Sequence, residues 1–319
     1  MVDGGRKRRR LITASLLVAA FFAATVQGTA ATKKTKKKIP AAREKTAASQ
    51  APKATAAASP AIDVTNLTGE LPIAAQGACV LDELTGETIY AKNAEQPFFP
   101  ASTTKILTAL LVIEAGHLDA PVTATDEEPK VGESSLELRP GDAFPRREML
   151  YGLMLKSAND VAHALARDNA GSVEAFAEKM NQRARALGAT NSHFMNPHGL
   201  HHPQHYTTPH DLALIARTAM QQPFFREVVG TRTHSWQGTW GLQMLTNHNR
   251  LLGMFPGCTG VKTGYTFPSQ QVLVSAAQWG TREVISVVMH TDRPGIWEDS
   301  KLLLSYGFAH LPAQPDSQP

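Results

Sequence analysis

Strand-forming segments stand at the two ends of the chain's apolar region and helical segments fill the middle, so any sheet must be assembled from residues distant in sequence. Ala78–Asp82, Leu84-Thr85-Gly86 and Thr88–Ala91 read as strand, turn and strand. Gln271–Trp279 and Glu283–His290 read as a second hairpin across Gly280-Thr281-Arg282. Between them, Ser102–Glu114 carries Ile106, Leu107, Leu110, Leu111, Val112 and Ile113 at helical spacing. Val161–Asp168, Val173–Leu187 and Asp211–Met220 repeat that pattern, and Glu298–Tyr306 reads as a closing helix. The order predicts an α+β fold with one sheet and a helical insert. There is no internal repeat.

Charge divides the chain sharply. Residues 1–61 hold thirteen Lys/Arg against Asp3 and Glu44, an excess of +11, so the remainder carries −7 of the net +4. The positive charge is therefore a property of the tail, and the acidic remainder argues against nucleic acid as a partner. Arg6–Arg10 precede an apolar run from Leu11 to Val26 and the small residues Gly28–Ala31, the order of a secretory signal. Cleavage near Gly28 or Ala30 is the favoured reading, with an uncleaved N-terminal anchor as its alternative; both export the remainder to the periplasm or cell envelope. Residues 1–30 are thus assigned as signal or anchor. Residues 31–65 are assigned as a Lys/Ala/Pro-rich linker that buries too little apolar area to order itself, and 312–319 as a polar tail. Export permits a bridge between Cys79 and Cys258, but two buried free thiols are the default.

Three short motifs carry the chemistry. Ser102-Thr103-Thr104-Lys105 puts a hydroxyl and an amine three residues apart, on one face of a helix start. Serine needs a base to become a nucleophile, and lysine serves only when burial or a second cation lowers its pKa. Ser157-Ala158-Asn159 adds a hydroxyl and a carboxamide before a helical run, and Lys262-Thr263-Gly264 adds a cation, a hydroxyl and a bare backbone where the pattern predicts the opening of a strand. That glycine would let a substrate backbone approach the strand. Each motif alone is weak, and a helix cap explains either serine. Their order is more specific, because SxxK, SDN and KTG occur together in class A β-lactamases and penicillin-binding proteins, with Ala158 here in place of the aspartate.

From Ala78 to Phe308 the chain resembles the low-molecular-mass penicillin-binding proteins, the serine D-alanyl-D-alanine carboxypeptidases of peptidase family S11. The resemblance extends through Val131–Ser135, Pro140-Gly141-Asp142, Leu155–Asp160, Asn196–Leu200, His205–Thr208, Val261–Thr266 and Tyr306-Gly307-Phe308. It implies a β-lactamase/penicillin-binding-protein-like fold, an antiparallel sheet flanked by helices with a helical subdomain, over a catalytic domain at 66–311. It implies removal of the terminal D-alanine from peptidoglycan stem peptides through an acyl-enzyme, and acylation by β-lactams. By the same resemblance Ser102 is the nucleophile and Lys105 its general base. Ser157 and Asn159 relay the proton and hold the substrate amide, Lys262 and Thr263 bind the terminal carboxylate beside Gly264, and the N–H groups of Ser102 and Tyr265 form the oxyanion hole. No metal or other cofactor is implied.

The chain also departs from that pattern. Ala158 stands where the family often has glycine, and Pro268-Ser269 alter the segment after Tyr265. Many relatives place an arginine before the last helix to hold the carboxylate; Ile296 occupies that place here, and Arg293 is left unassigned. A C-terminal β-domain is absent, so a membrane tether falls to the N-terminus. The histidines at 198, 201, 202, 205 and 210 show no metal-ligand spacing. Trp236, Trp240, Trp279 and Trp297 read as packing residues rather than sugar platforms. A D,D-endopeptidase would use the same residues on cross-links. A class A β-lactamase is disfavoured because Glu178-Lys179-Met180-Asn181 lacks the deacylating ExxLN spacing. A non-catalytic wall-binding protein is disfavoured by the complete set of reactive side chains.

Overall fold

The computed structural model describes Val64, Leu67 and residues 69–311. The signal or anchor, nearly all of the linker and the polar tail lie outside the described residues. The elements in chain order are β1 (Gly77–Asp82), β2 (Thr88–Lys92), α1 (Lys105–Glu114), β3 (Pro121–Thr123), β4 (Ala143–Pro145), α2 (Arg146–Tyr151), α3 (Asn159–Ala170), α4 (Val173–Ala186), α5 (Pro209–Met220), α6 (Pro223–Gly230), β5 (Thr233–Gly238), β6 (Gly241–Thr246), α7 (Leu251–Met254), β7 (Cys258–Thr266), β8 (Gln270–Trp279), β9 (Arg282–Thr291) and α8 (Gly295–His310).

The main sheet has five strands in the order β2-β1-β9-β8-β7, and each neighbouring pair is antiparallel. The two ends of the chain thus meet at β1 and β9, where Ala78 lies opposite Val288 and Val80 opposite Ser286. The period-two alternation of a strand sorts the side chains between two cores. Cys79, Leu81, Val272, Val274, Ile285, Val287 and Met289 face the larger core, beneath the helices. Ala78, Val80, Leu273, Ala277, Val284 and Val288 face a smaller one roofed by α8. Burial on both faces explains why β8 and β9 read as continuous apolar runs. Close packing of α8 needs a bare backbone at Gly307, where a Cβ would lie 2.5 Å from Val284 Cγ1.

In the larger layer, α1 is packed among α3, α4, α5 and α6 and is buried from Lys105 to Val112. Its predominantly apolar surface, with Lys105 and Thr108 as the buried polar exceptions, suits an enclosed helix. Local signals set the ends of its neighbours. Ser172 and Thr208 cap α4 and α5 by accepting from the backbone N–H groups of Ala175 and Asp211, and Gly171 at φ +86° closes α3.

Several expectations shift. The run expected as one helix from Ser102 is a 3-10 turn at Ala101–Thr104 followed by α1. The KTG segment lies within β7, which opens at Cys258, because its outer residues pair with β8 along their whole length. The β5–β6 hairpin gave no sequence signal: its apolar residues Leu242 and Met244 are exposed. Val64, placed in the linker, is buried in the smaller core. Cys79 and Cys258 are both free. They stand on β1 and β7 with β9 and β8 between them, three inter-strand spacings or about 14 Å apart, beyond the reach of a disulfide. Among the described residues no helix is long and apolar enough to cross a membrane.

Candidate active site

The edge strand β7, the 3-10 turn before α1, the segment before α3 and the loop after β6 enclose a cleft of about 630 Å³. Its lining includes Ser102, Ser157, Thr263, Gly264 and Tyr265 from the three motifs. Lys105 joins Ser102 to Asn159 by hydrogen bonds from its amine to both.

The Lys105 ammonium is fully buried, and Nζ lies 3.1 Å from Ser102 Oγ, 2.7 Å from Asn159 Oδ1 and 2.6 Å from the His198 carbonyl oxygen. The last two partners can only accept. Ser102 alone among the three can reverse its role and donate. When the amine is neutral, its two N–H groups are held by the amide and carbonyl oxygens, and its lone pair is left facing the Ser102 hydroxyl. The environment favours that neutral form. Burial pushes the Lys105 pKa well below the ordinary lysine value, and the positive Lys262 pushes it further. Lys262 is itself fully buried and lowered to about 7 by desolvation.

Local backbone geometry aims these groups. Ala101, at φ +48°, turns the chain immediately before Ser102, and Ser157 sits left-handed at φ +64°. Non-glycine residues in that region cost of order 1–3 kcal/mol and persist where their surroundings hold them. Behind Ser157, Gly152–Lys156 form a single π-helical turn. The Ser157 hydroxyl is buried, without a hydrogen-bond partner among the described residues. Asn159 donates from Nδ2 to Gly132 O and from its backbone N–H to Ser134 O, which ties the cleft's outer loop to α3. Asp160 secures that loop further, accepting from Ser135 Oγ and from the N–H groups of Leu136 and Leu138.

Two glycines permit close approach. A Cβ on Gly264 would lie 2.9 Å from Ser102 N and 3.0 Å from Pro100 O, so this residue seats β7 against the serine turn. Gly264 also lines the cleft, where the motif places it beside a substrate. Gly199, at φ +86°, abuts the Ala101 carbonyl where any Cβ would collide, and brings the His198 carbonyl to Lys105.

Lys262 is buried, and its Nζ donates to Thr263 O at 3.0 Å. Ile296 is buried in the smaller core, whereas Arg293 lines the cleft. Arg250, His248, Asn247, Thr246, Gln271, Glu133 and Trp297 also line it and were missed as site residues, since loops close in space are far apart in sequence. The indole of Trp297 therefore belongs to the cleft wall rather than solely to packing. Trp236 is buried, Trp240 lies under Arg139 at 3.5 Å, and Trp279 packs edge-on against Phe308.

His205 serves structure. His205 accepts at Nδ1 from the Met195 N–H, so its Nε2 carries the proton donated to Thr104 Oγ1 at 2.9 Å. Burial lowers its pKa to about 3, and with both nitrogens engaged it offers no metal a lone pair.

Comparison with known proteins agrees with this geometry. The profile of the D-alanyl-D-alanine carboxypeptidase family Peptidase S11 matches residues 64–293. A D-alanyl-D-alanine carboxypeptidase of Streptomyces sp. strain K15 is 37% identical over 275 residues, covering 80% of this chain and 93% of that one. DacF of Bacillus subtilis, also named a D-alanyl-D-alanine carboxypeptidase, is 35% identical over 237 residues; the match covers 71% of this chain and spans only 60% of that relative's length. The crystal structure of the Streptomyces K15 DD-transpeptidase superposes with a TM-score of 0.72 at 35% identity, covering 76% of this chain and all of that one. The α+β fold is thus of the penicillin-binding-protein type, and this chain belongs to the D-alanyl-D-alanine carboxypeptidase family S11.

Proposed function

We propose that the protein is a serine D-Ala-D-Ala carboxypeptidase that removes the terminal D-alanine from peptidoglycan stem peptides. The observation that carries this reading is the buried Lys105 amine, held by two obligate acceptors with its third direction on Ser102 Oγ. Neutral Lys105 takes the Ser102 proton as Oγ attacks the carbonyl of the penultimate residue. The resulting oxyanion faces the N–H groups of Ser102 and Tyr265, in a role whose loss typically costs about 100- to 1,000-fold in rate. Ser157, whose hydroxyl has no competing partner among the described residues, passes the proton to the leaving amine, and the C–N bond breaks to free D-alanine. Water then cleaves the Ser102 ester.

The unpaired edge of β7 suits an extended peptide, which would add to the sheet as a further strand beside Thr263, Gly264 and Tyr265. Asn159 steadies Lys105 and the outer loop together. Lys262 keeps Lys105 neutral and contributes positive potential behind Thr263. β-Lactams, as acylating mimics of the same peptide, esterify Ser102. The basic N-terminal segment would export the chain to the envelope and tether it at the membrane if uncleaved.

Fluorescent penicillin should label the protein covalently, and Ser102→Ala should abolish the label; labelling that survives removes Ser102 from its role. Digestion of defined muropeptides followed by mass analysis should show loss of one alanine from pentapeptides. Cleavage confined to cross-linked dimers would assign the chain as an endopeptidase instead.

A further inference from the structure

The turn after β2 and the first turn of α5 bring together side chains that the catalytic reading does not use. Glu95 follows the end of β2 at Lys92, and His210 and Asp211 lie at the start of α5. One ligand-type atom from each of the three lies within 4.8 Å of the others. His210 Nδ1 is 2.9 Å from Glu95 Oε1, and the His210 backbone N–H donates to Ala94 O at 3.0 Å. The Asn191-Ser192 segment orients both carboxylates. Asn191 Nδ2 donates to Glu95 Oε2 at 2.9 Å, and its backbone N–H donates to Asp211 Oδ2 at 2.8 Å. Ser192 Oγ donates to the same Asp211 oxygen at 2.7 Å. One oxygen of each acid is thus held by neutral donors. Asp211 is only 1% exposed, yet its Oδ1 receives no hydrogen bond from the described residues, whereas buried acceptors are ordinarily satisfied.

Two carboxylates brought this close repel each other, and a cation between them relieves the repulsion. Beside them a cavity of about 500 Å³, lined in part by Thr88, Asn93, Glu95 and His210, gives an ion and its waters access. We infer that Glu95, His210 and Asp211 bind a divalent transition-metal ion, zinc in the first instance. An imidazole with two carboxylates is a donor set suited to zinc, whereas calcium takes about six to eight oxygens. A tetrahedral ion with bonds of about 2.0–2.2 Å holds its ligand atoms about 3.4 Å apart. From 4.8 Å, the widest separation must therefore shrink by about 1.4 Å. The Glu95 side chain, 61% exposed, has the freedom to close it. To ligate, the imidazole presents its Nδ1 lone pair, so its one proton resides on Nε2 and any second proton is released. Three protein ligands leave a further position to water. The ion would tie the turn after β2 to α5. That strap continues through Phe98, paired with Thr207 by N–H···O bonds of 2.7 and 3.0 Å, to the 3-10 turn that carries Ser102. The role is structural and takes no part in acyl transfer. No spacing announces the site, because Glu95 and His210 come from distant parts of the chain.

The test strips the protein with EDTA, then titrates it with zinc chloride by calorimetry and with cobalt(II) by visible absorption. The unmutated chain should bind zinc saturably, and cobalt should develop the d–d band of an ion held by nitrogen and oxygen ligands. Glu95→Gln preserves the size of an exposed side chain, and should weaken zinc binding by about 10- to 100-fold and abolish the band. Asp211→Asn should do the same; circular dichroism checks its fold, and Glu95→Gln decides the matter where that variant fails to fold. His201→Ala/His202→Ala removes two other imidazoles and should change neither readout. Zinc binding that survives Glu95→Gln unchanged, or that is lost in the His201→Ala/His202→Ala variant instead, overturns the site. Calcium that displaces zinc at equal concentration also overturns it. Neither readout involves alanine release, so both stand whether or not the carboxypeptidase reading holds.

Discussion

Gly264→Ala isolates the close approach of β7 to the serine turn. Gly264 has no left-handed backbone, so alanine meets no conformational penalty there; what it meets is Ser102 N at 2.9 Å, Pro100 O at 3.0 Å and Ala101 Cβ at 3.1 Å. Comfortable carbon contacts lie near 3.5–4.0 Å, so one side must retreat by roughly 0.5 Å or more. β7 is held by its pairing with β8, and Gly264 lies opposite Val272 within that ladder. The turn is therefore the part that gives. Overpacking of this kind costs about 1–3 kcal/mol, and at about 2–4 °C per kcal/mol for a domain of this size the Tm should fall by about 2–12 °C. Displacement of Ser102 relative to the Tyr265 N–H should slow acylation by fluorescent penicillin by about 10- to 100-fold. Gly253→Ala is the control, since a Cβ there meets nothing within 4 Å. Stopped-flow labelling and thermal denaturation of both variants decide the matter. Unchanged acylation and Tm in Gly264→Ala would show that the strand and turn are not in the contact described.

Further outcomes follow from the buried charges and loop anchors. Lys262, lowered to about 7 in the fold from an ordinary value of 10.5, binds fewer protons folded than unfolded between those limits, so stability should rise with pH across that interval. In Lys262→Met that slope should shrink by up to about 1.4 kcal/mol per pH unit, read by urea denaturation at pH 7 and 9; an identical slope would deny Lys262 its depressed pKa. The same variant removes a cation that lowers the Lys105 pKa, so the acidic limb of kcat/KM should move to higher pH. Ser157→Ala deletes a hydroxyl with no hydrogen-bond partner among the described residues, and should slow turnover by about 100-fold or more while changing stability by less than about 1 kcal/mol. Asp160→Ala strands the N–H groups of Leu136 and Leu138, and should destabilise by about 3 kcal/mol with slowed penicillin labelling. Native Cys79 should resist a thiol reagent until the protein unfolds, because burial both hides its thiol and raises its pKa.

The sequence placed Ser102 and Lys105 together by itself, because three residues span one helical turn, and β8 and β9 were legible because burial on both faces leaves an unbroken apolar run. Helix ends at Ser172, Thr208 and Gly171 were local chemistry of the same kind. The meeting of Lys105 with Asn159, 54 residues away, rested on motif order until β1 joined β9 and α1 entered the helical layer. Nothing local shows that Gly264 seats β7 against Ser102, nor that the Lys262 side chain is fully buried. The surroundings of Gly264 and Lys262 and the place of Arg250 and Arg293 on the cleft wall depend on distances and burial between segments remote in sequence. Spacing along one element is set by backbone geometry, which residues encode locally; depth and direction across elements are set by packing, which only the folded chain decides.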